Sequence, residues 1–449
     1  MMTSVRNNRN PWLWIPTLYF AEGLPYFIVN NISVLMLTKM GVNNTQMALF
    51  TSLLYLPWTI KPFWSPFVDI VKTKRWWIVA MQILMSVAFV ALTLTIPTPS
   101  IEQMMTCSTP ISLFTLTLLL FVITAFASAT HDIAADGFYM IELSASNQSA
   151  FVGIRSTFYR ISSIFGQGAL VWFAGHLELT TQDVPLAWRI TLLLCAVIFS
   201  LITLYHVFFL PRPLADHSVL KEQKNSAGAI FAEFGHTFYS FFTKKGIVVA
   251  ILFMLLFRLP EALLLKICIP FLVDARSRGG LGMATEDIGF AYGTIGVLAL
   301  TFGGILGGLF IAKYGLKKSI WWMTLSMTLP DLVYVYFADC MPDYSMLSDR
   351  LCIISAIAVE QFGYGFGFTA YMLYMIYFSE GESKTSHYAL CTAFMALSMM
   401  LPGAVAGYLQ SLVGYSSFFW IVIVCCLAPV IMTAIITKDI DSAYAKKIK

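Results

Sequence analysis

Long apolar stretches separated by short polar punctuation recur from one end of this chain to the other, and that alternation restricts its fold more than any other feature. They lie near residues 11–39, 44–69, 76–96, 111–142, 149–176 and 186–210, and again near 246–274, 286–312, 318–338, 348–378, 385–411 and 415–437. A helix needs about 20 mostly apolar residues to cross the hydrocarbon of a bilayer, so each stretch reads as one span. Of the 449 residues, 58% are hydrophobic and 12% charged, whereas soluble domains carry roughly a quarter charged residues. A soluble enzyme with one buried core is excluded. The expected fold is an all-α integral membrane protein of twelve transmembrane helices.

One long polar connection, from Pro211 to about Lys245, separates the first six spans from the second six. The expected organisation is therefore a six-helix half over 1–210, a cytoplasmic linker over 211–245, and a second six-helix half over 246–449. The first span is too long for a signal-peptide core and has no small-residue cleavage pattern, so it is expected to be retained.

With the N-terminus placed in the cytoplasm, eighteen Lys and Arg fall in inside segments and five (Lys39, Arg189, Arg276, Arg278, Arg350) outside. This is the bias of a protein with both termini cytoplasmic. The net charge of +4 is then a matter of topology and requires no nucleic acid. Lys61, Arg155, Arg160, Arg258 and Lys266 fall at membrane depth, where each costs about 2.5–3.5 kcal/mol on insertion scales and needs a reason to be there.

Acids lie at the same depth: Glu22 in the first span, Asp132 and Asp136 in the fourth, Glu261 in the seventh and Glu360 in the tenth, with Asp331 in the ninth lacking an evident partner. Intramembrane ionisable groups ordinarily face an aqueous path, so this distribution points to a polar central cavity. Asp132 and Asp136 share one helical face, with His131 beside them. As neighbouring carboxylates they suit a proton carrier, or else they pair statically with Arg155 or Arg160. Arg258 and Glu261, three residues apart, are placed to pair along one face. Glu22, Asp132, Asp136 and Glu360 are the proton-coupling candidates, and His131, Arg160, Arg258, Glu261 and Lys266 join them as cavity candidates.

The eight cysteines and six histidines show no metal-ligand spacing, so neither a metal nor a cofactor is expected. Most of the cysteines read as small core residues, while Cys107 and Cys340 fall in two outward loops and are candidates to pair. Glycines and prolines at Gly23, Pro25, Pro62, Pro66, Gly303, Gly307, Gly363 and Gly367 read as packing and bending positions. Trp76, Trp77, Trp321 and Trp322 read as interfacial anchors.

The eighth and ninth spans are joined by GLFIAKYGLKK (Gly308 to Lys318), and the second and third, at the equivalent place, by WSPFVDIVKTKR (Trp64 to Arg75). Both resemble the loop repeated in the two halves of major facilitator proteins, with Asp69, Lys72 and Arg75, and Gly308, Lys313, Gly315 and Lys317, in the conformational-switch positions. The resemblance implies two pseudo-symmetric halves with substrate bound between them at the midplane.

A narrower resemblance, to the AmpG muropeptide permeases and the related acetyl-CoA transporters, is carried by several stretches. They are YFAEGLPY (Tyr19 to Tyr26), WSPFVD (Trp64 to Asp69), SATHDIAADGFY (Ser128 to Tyr139), FRLPEALLLKICIPFLVD (Phe257 to Asp274), EDIG (Glu286 to Gly289) and TSHYALCTAFMAL (Thr385 to Leu397). His131 and His387 stand where that branch has Gln. The resemblance implies a monomeric, proton-coupled importer of muropeptides or amino-sugar cell-wall fragments in a bacterial inner membrane. An acyl-CoA or siderophore carrier of the same fold is the alternative, and a membrane acyltransferase, which needs a nucleophile and base or a metal cluster at the bilayer, is disfavoured because the six histidines show no ligand spacing.

Overall fold

Twelve helical spans emerge from these stretches in a computed structural model that describes residues 10–96, 113–143, 145–213, 216, 235–381, 384–442 and 444–445. They are α1 (Pro11–Lys39), α2 (Asn44–Leu53 and Leu56–Ile70), α3 (Lys74–Thr95), α4 (Leu113–Glu142), α5 (Ala145–Ser163, continuing to Thr181) and α6 (Val184–Phe209). The second set is α7 (Ile247–Leu256 and Leu259–Val273), α8 (Thr285–Tyr314), α9 (Leu316–Thr328, continuing to Cys340), α10 (Leu347–Phe378), α11 (residues 384–413) and α12 (residues 415–436). The last two form one continuous helical run until Gly414, at φ 76° and ψ 173°, turns the chain. Only a residue without a Cβ takes that conformation readily.

Helix starts follow local chemistry. The side chains of Asn43, Thr73 and Asp183 accept from the backbone N–H of Gln46, Trp76 and Leu186 and so cap α2, α3 and α6. On the outer faces, Leu94, Leu201, Phe208, Leu309, Leu412 and Val424 are each at least 60% exposed. Apolar side chains in that position have lipid as their natural solvent.

The two sets of six pack alike. α1 lies on α5 as α7 lies on α11, α2 lies on α4 as α8 lies on α10, and α3 touches α4 and α6 as α9 touches α10 and α12. Between the halves, α2 packs on α11 and α5 on α8, again a symmetric exchange. These crossings are backbone against backbone. A Cβ on Gly407 would lie 1.8 Å from the Asn44 carbonyl oxygen, on Gly293 1.9 Å from that of Gln167, and on Gly175 2.1 Å from the Glu286 nitrogen.

A polar seal closes the molecule at the same end, which is the end away from the termini. Glu178 accepts from Thr285 Oγ1 (2.6 Å) and Trp188 Nε1 (2.9 Å) and pairs with Lys39 at 3.4 Å. Asn44 Nδ2 donates to Gln410 Oε1 (2.8 Å) and to Tyr415 Oη (3.0 Å), and Tyr415 donates to Asp274 (2.6 Å).

At the opposite end, the α2–α3 turn passes through Lys72 at φ 64°. Arg75 fastens it to α6 by donating to the Val207 carbonyl (2.6 Å), while Asp216 accepts from the backbone of Lys74 and Arg75. The α8–α9 turn passes through Gly315 at φ 81° and is held by Leu316 N–H donating to the Tyr444 carbonyl. Lys313 lies over the Tyr314 ring, and Gly308 has open space where a Cβ would stand, so close packing does not account for that glycine. The Asp69 side chain, Arg6, Arg9, Cys107 and residues 217–234 of the expected linker lie outside the described residues.

Replacing Gly407 or Gly293 by Leu is expected to wedge the crossings apart. Overpacking costs about 1–3 kcal/mol, enough to shift a two-state balance roughly 5- to 150-fold. Thiol labelling of a cysteine introduced at Gln410 should accelerate accordingly, and an unchanged rate would show that these glycines do not hold the closure.

Candidate functional site

Three helices depart from regular α geometry where they meet. α1 makes a π-helical turn at Ile28–Ile32, α5 at Ile164–Leu170 and α8 at Ala291–Gly296, and the α5 turn packs on the other two. Such turns widen a helix by one residue and turn side chains out of the regular pattern, frequently at functional sites. Here they front a cavity between the halves whose polar lining is Asn30, Asn31, Tyr55, Gln167, Lys266 and Tyr292. The remainder of the wall is mostly apolar, from Ile32, Leu35, Val171, Leu265, Ile269 and Met399.

The cavity is walled by α1, α2, α5, α7, α8 and α11, and no residue of α4 or α10 lines it. The acids of those two helices, packed within their own halves, sit in two separate clusters instead. Of the residues singled out from sequence, Lys266 is at the cavity wall. Its Nζ donates to Thr51 Oγ1 at 3.0 Å and lies 5.2 Å from the Tyr55 ring centre. The amides and tyrosines went unrecognised in the sequence; the available signal was an amide side chain inside an otherwise apolar span.

The first cluster belongs to the N-terminal half. Glu22, Asp132 and Asp136 bring carboxylate oxygens within 4.8 Å of one another. Lys61 pairs with Asp132, and Arg155 with Asp136 at 2.6 Å. The Arg155 guanidinium also lies 4.5 Å from the Tyr19 ring centre and 5.7 Å from that of Tyr139, and the Tyr19 hydroxyl donates to Asp136. Three carboxylates thus face two cations. Glu22 Oε2 has no hydrogen-bond partner and the residue is 8% exposed, whereas the side chains of Asp136 and Arg155 are about a third exposed.

His131 is not part of this cluster, although it precedes Asp132. It is fully buried, and the 100° step per residue carries it to another face of α4, where Gln82 Nε2 donates to its Nε2 at 2.9 Å. Gln82 Oε1 in turn accepts from His206 Nδ1 (3.0 Å), whose Nε2 lies 2.9 Å from Thr17 Oγ1. This is an internal polar strut joining α1, α3, α4 and α6. His387, 3% exposed, is likewise directed away from the cavity, toward Ser240 at 3.0 Å. Arg160 reaches across to α8, where Nη1 donates to Thr301.

The second cluster belongs to the C-terminal half and consists of Glu261 (α7), Asp331 (α9) and Glu360 (α10), again with oxygens within 4.8 Å. Asp331 thereby gains the neighbours that its sequence context did not reveal. The expected Arg258–Glu261 pair does not form. The chain between the two segments of α7 turns Arg258 toward α10, where Nη2 donates to Tyr364 Oη (2.6 Å) and the guanidinium lies 5.0 Å from the Phe368 ring centre.

A cavity between two pseudo-symmetric six-helix halves, with ionisable clusters inside each, defines a multi-pass membrane carrier. The chain belongs to the Major Facilitator Superfamily, whose family model matches residues 17–376. Among its relatives, a Rickettsia felis protein carrying the transporter name AmpG 4 is 23% identical over 94% of this chain and 96% of its own length. The anhydromuropeptide permease of Escherichia coli K12 is 22% identical over 90% of this chain and 74% of its own. Similar solved folds include the nucleoside transporter NupG (TM-score 0.67, 13% identity, covering 96% of this chain and all of that one). The D-xylose-proton symporter is similar too (TM-score 0.66, 12% identity, covering 97% and 99%).

If the Lys61–Asp132 contact carries the charge balance of the first cluster, Lys61→Met should lower thermal stability in detergent, and Asp132→Asn in the same chain should restore part of it. A charged hydrogen bond of this kind contributes about 1.5–3 kcal/mol. Additive losses in the double-mutant cycle would show that the two residues act independently.

Proposed function

We propose that this protein is a proton-coupled importer of muropeptides or related amino-sugar cell-wall fragments, working by alternating access in a bacterial inner membrane with both termini in the cytoplasm. The observation that carries the coupling is the charge count in the first cluster. Three carboxylates against two cations leave one negative charge uncompensated at membrane depth, and binding a single proton removes it. Glu22, buried and with an unpartnered oxygen, is the residue on which that proton resides. Asp132 and Asp136 are then the pairing partners whose contacts change as the proton comes and goes. Glu360, in the other half, stands apart from this step.

The cargo is argued from the cavity and the relatives. Amide and phenol groups suit the hydroxyls and peptide bonds of a glycopeptide, and one cation, Lys266, suits a carboxylate. A polyanionic CoA ester calls for more positive charge than the wall supplies. The seal at α2–α11 and α5–α8, with the partly exposed pairs toward the termini, corresponds to a carrier closed to the outside. The two halves, 1–210 and 246–449, rock about that seal with the 211–245 segment as their tether. The relatives and the site chemistry favour a carrier over an enzyme, and its partners are the solute, protons and lipid, with a monomer sufficient for the cycle.

Proteoliposomes with an imposed inward proton gradient provide the test. Labelled anhydro-muropeptide should accumulate with the intact protein, and Glu22→Gln should abolish accumulation above equilibrium while leaving downhill exchange. Accumulation undiminished in Glu22→Gln would remove the proton from that residue, and no uptake by well-folded intact protein would remove the muropeptide.

A further inference from the structure

The two acidic clusters differ in one respect that the fold's symmetry makes conspicuous. The cluster of α1 and α4 contains Lys61 and Arg155. Among the described residues, that of α7, α9 and α10 has no Lys, Arg or His within ion-pair distance. Glu261, Asp331 and Glu360 are 1%, 2% and 2% exposed, more deeply buried than their counterparts, and Glu261 Oε1 and Asp331 Oδ1 have no hydrogen-bond partner.

A separate buried polar group stands on the same side of α9 as Asp331. Tyr334, on α9 one turn beyond Asp331, is completely buried and its hydroxyl has no partner. It lies within electrostatic reach of Glu360, Asp331 and Glu261. The backbone is irregular there as well. α7 breaks just before Leu259 and restarts with Pro260 next to Glu261, and α9 makes a 3-10 turn at Leu329–Asp331 with Pro330 next to Asp331. Discontinuous membrane helices are where carriers of several folds seat small ions.

We propose that Glu261, Asp331, Glu360 and the Tyr334 hydroxyl form a binding site for one hard cation such as Na⁺ or Ca²⁺. The donors are oxygens only, which suits a hard ion. The carboxylate oxygens lie within 4.8 Å of one another, and a site this buried favours an ion that gives up its water readily over Mg²⁺, which dehydrates reluctantly and usually keeps several waters. Cys426 Sγ, donating to Asp331 Oδ2 at 3.6 Å, leaves the other oxygen of Asp331 for the ion. Gln361 Nε2 donates to Glu360 (3.0 Å) and to Tyr292 Oη (3.0 Å), so Glu360 is two hydrogen bonds from a residue lining the cavity. Occupancy of the site therefore reaches the cavity wall through Gln361 and Tyr292.

The site is tested on the purified full chain in detergent, with NaCl, CaCl₂ and MgCl₂ titrated against choline chloride at constant ionic strength and thermal unfolding as the readout. Saturable stabilisation by Na⁺ or by Ca²⁺ is expected, with Mg²⁺ much less effective, and the ion that acts identifies the charge the site prefers. Asp331→Asn or Glu360→Gln should weaken the apparent affinity by ~10-fold or more, and Tyr334→Phe, which keeps the ring in its packing, by less. Asp439→Asn, in an exposed position outside the cluster, should leave the apparent ion affinity unchanged. A cooperative unfolding transition of the intact protein that neither Na⁺ nor Ca²⁺ shifts would overturn the proposal and leave the three acids to be held by protons. Neither result bears on Glu22 or on muropeptide uptake, which are read by a different assay.

Discussion

An ionised side chain in hydrocarbon has no water to solvate it, and the arrangement of this protein's interior follows from that cost. Five cations and six acids at membrane depth are tolerable only if each finds a countercharge, a hydrogen-bond donor, an aromatic face or a mobile ion. Lys61 and Arg155 meet Asp132 and Asp136 directly. Arg258 and Lys266, with no carboxylate in contact, rest instead against tyrosine hydroxyls, a threonine hydroxyl and aromatic rings. A residual imbalance remains: one charge in the N-terminal cluster and, among the described residues, three carboxylates without an ion-pair partner in the C-terminal one.

A second consequence concerns how the halves meet. Helices in lipid gain nothing from hydrophobic exclusion, so association depends on close packing and polar contacts. Gly175, Gly293 and Gly407 let backbones touch, and Glu178 and Asn44 supply the hydrogen bonds around them. Buried apolar side chains of both halves, among them Ala48, Val171, Ile288 and Ala406, complete the contact in one continuous cluster.

Much of the fold was legible in the sequence, because crossing a bilayer imposes length and hydropathy together. The spans agree with the helices to within a few residues, even where α5 starts early with a polar segment, Ala145–Ser163, or where α9 is interrupted at Pro330. The site was legible only in part. Acid and base positions stand out against an apolar background, which is why Glu22, Asp132, Asp136, Glu261, Lys266 and Glu360 were visible. The facing direction was not: His131 and His387 belong to struts, and Asn30, Asn31 and Gln167 reach the cavity through π-helical turns that no regular 3.6-residue pattern indicates.

The sequence by itself determined that this is a twelve-span membrane protein in two related halves, since hydropathy, basic-residue bias and the repeated loop are all local properties of the chain. Only the tertiary structure decided which charges neutralise one another. Lys61 and Asp132 are 71 positions apart, and Glu261, Asp331 and Glu360 come from three separate helices. Whether such groups end in a pair or share an uncompensated cluster depends on how the helices rotate and cross, which is fixed by packing across the bundle and not by spacing along the chain.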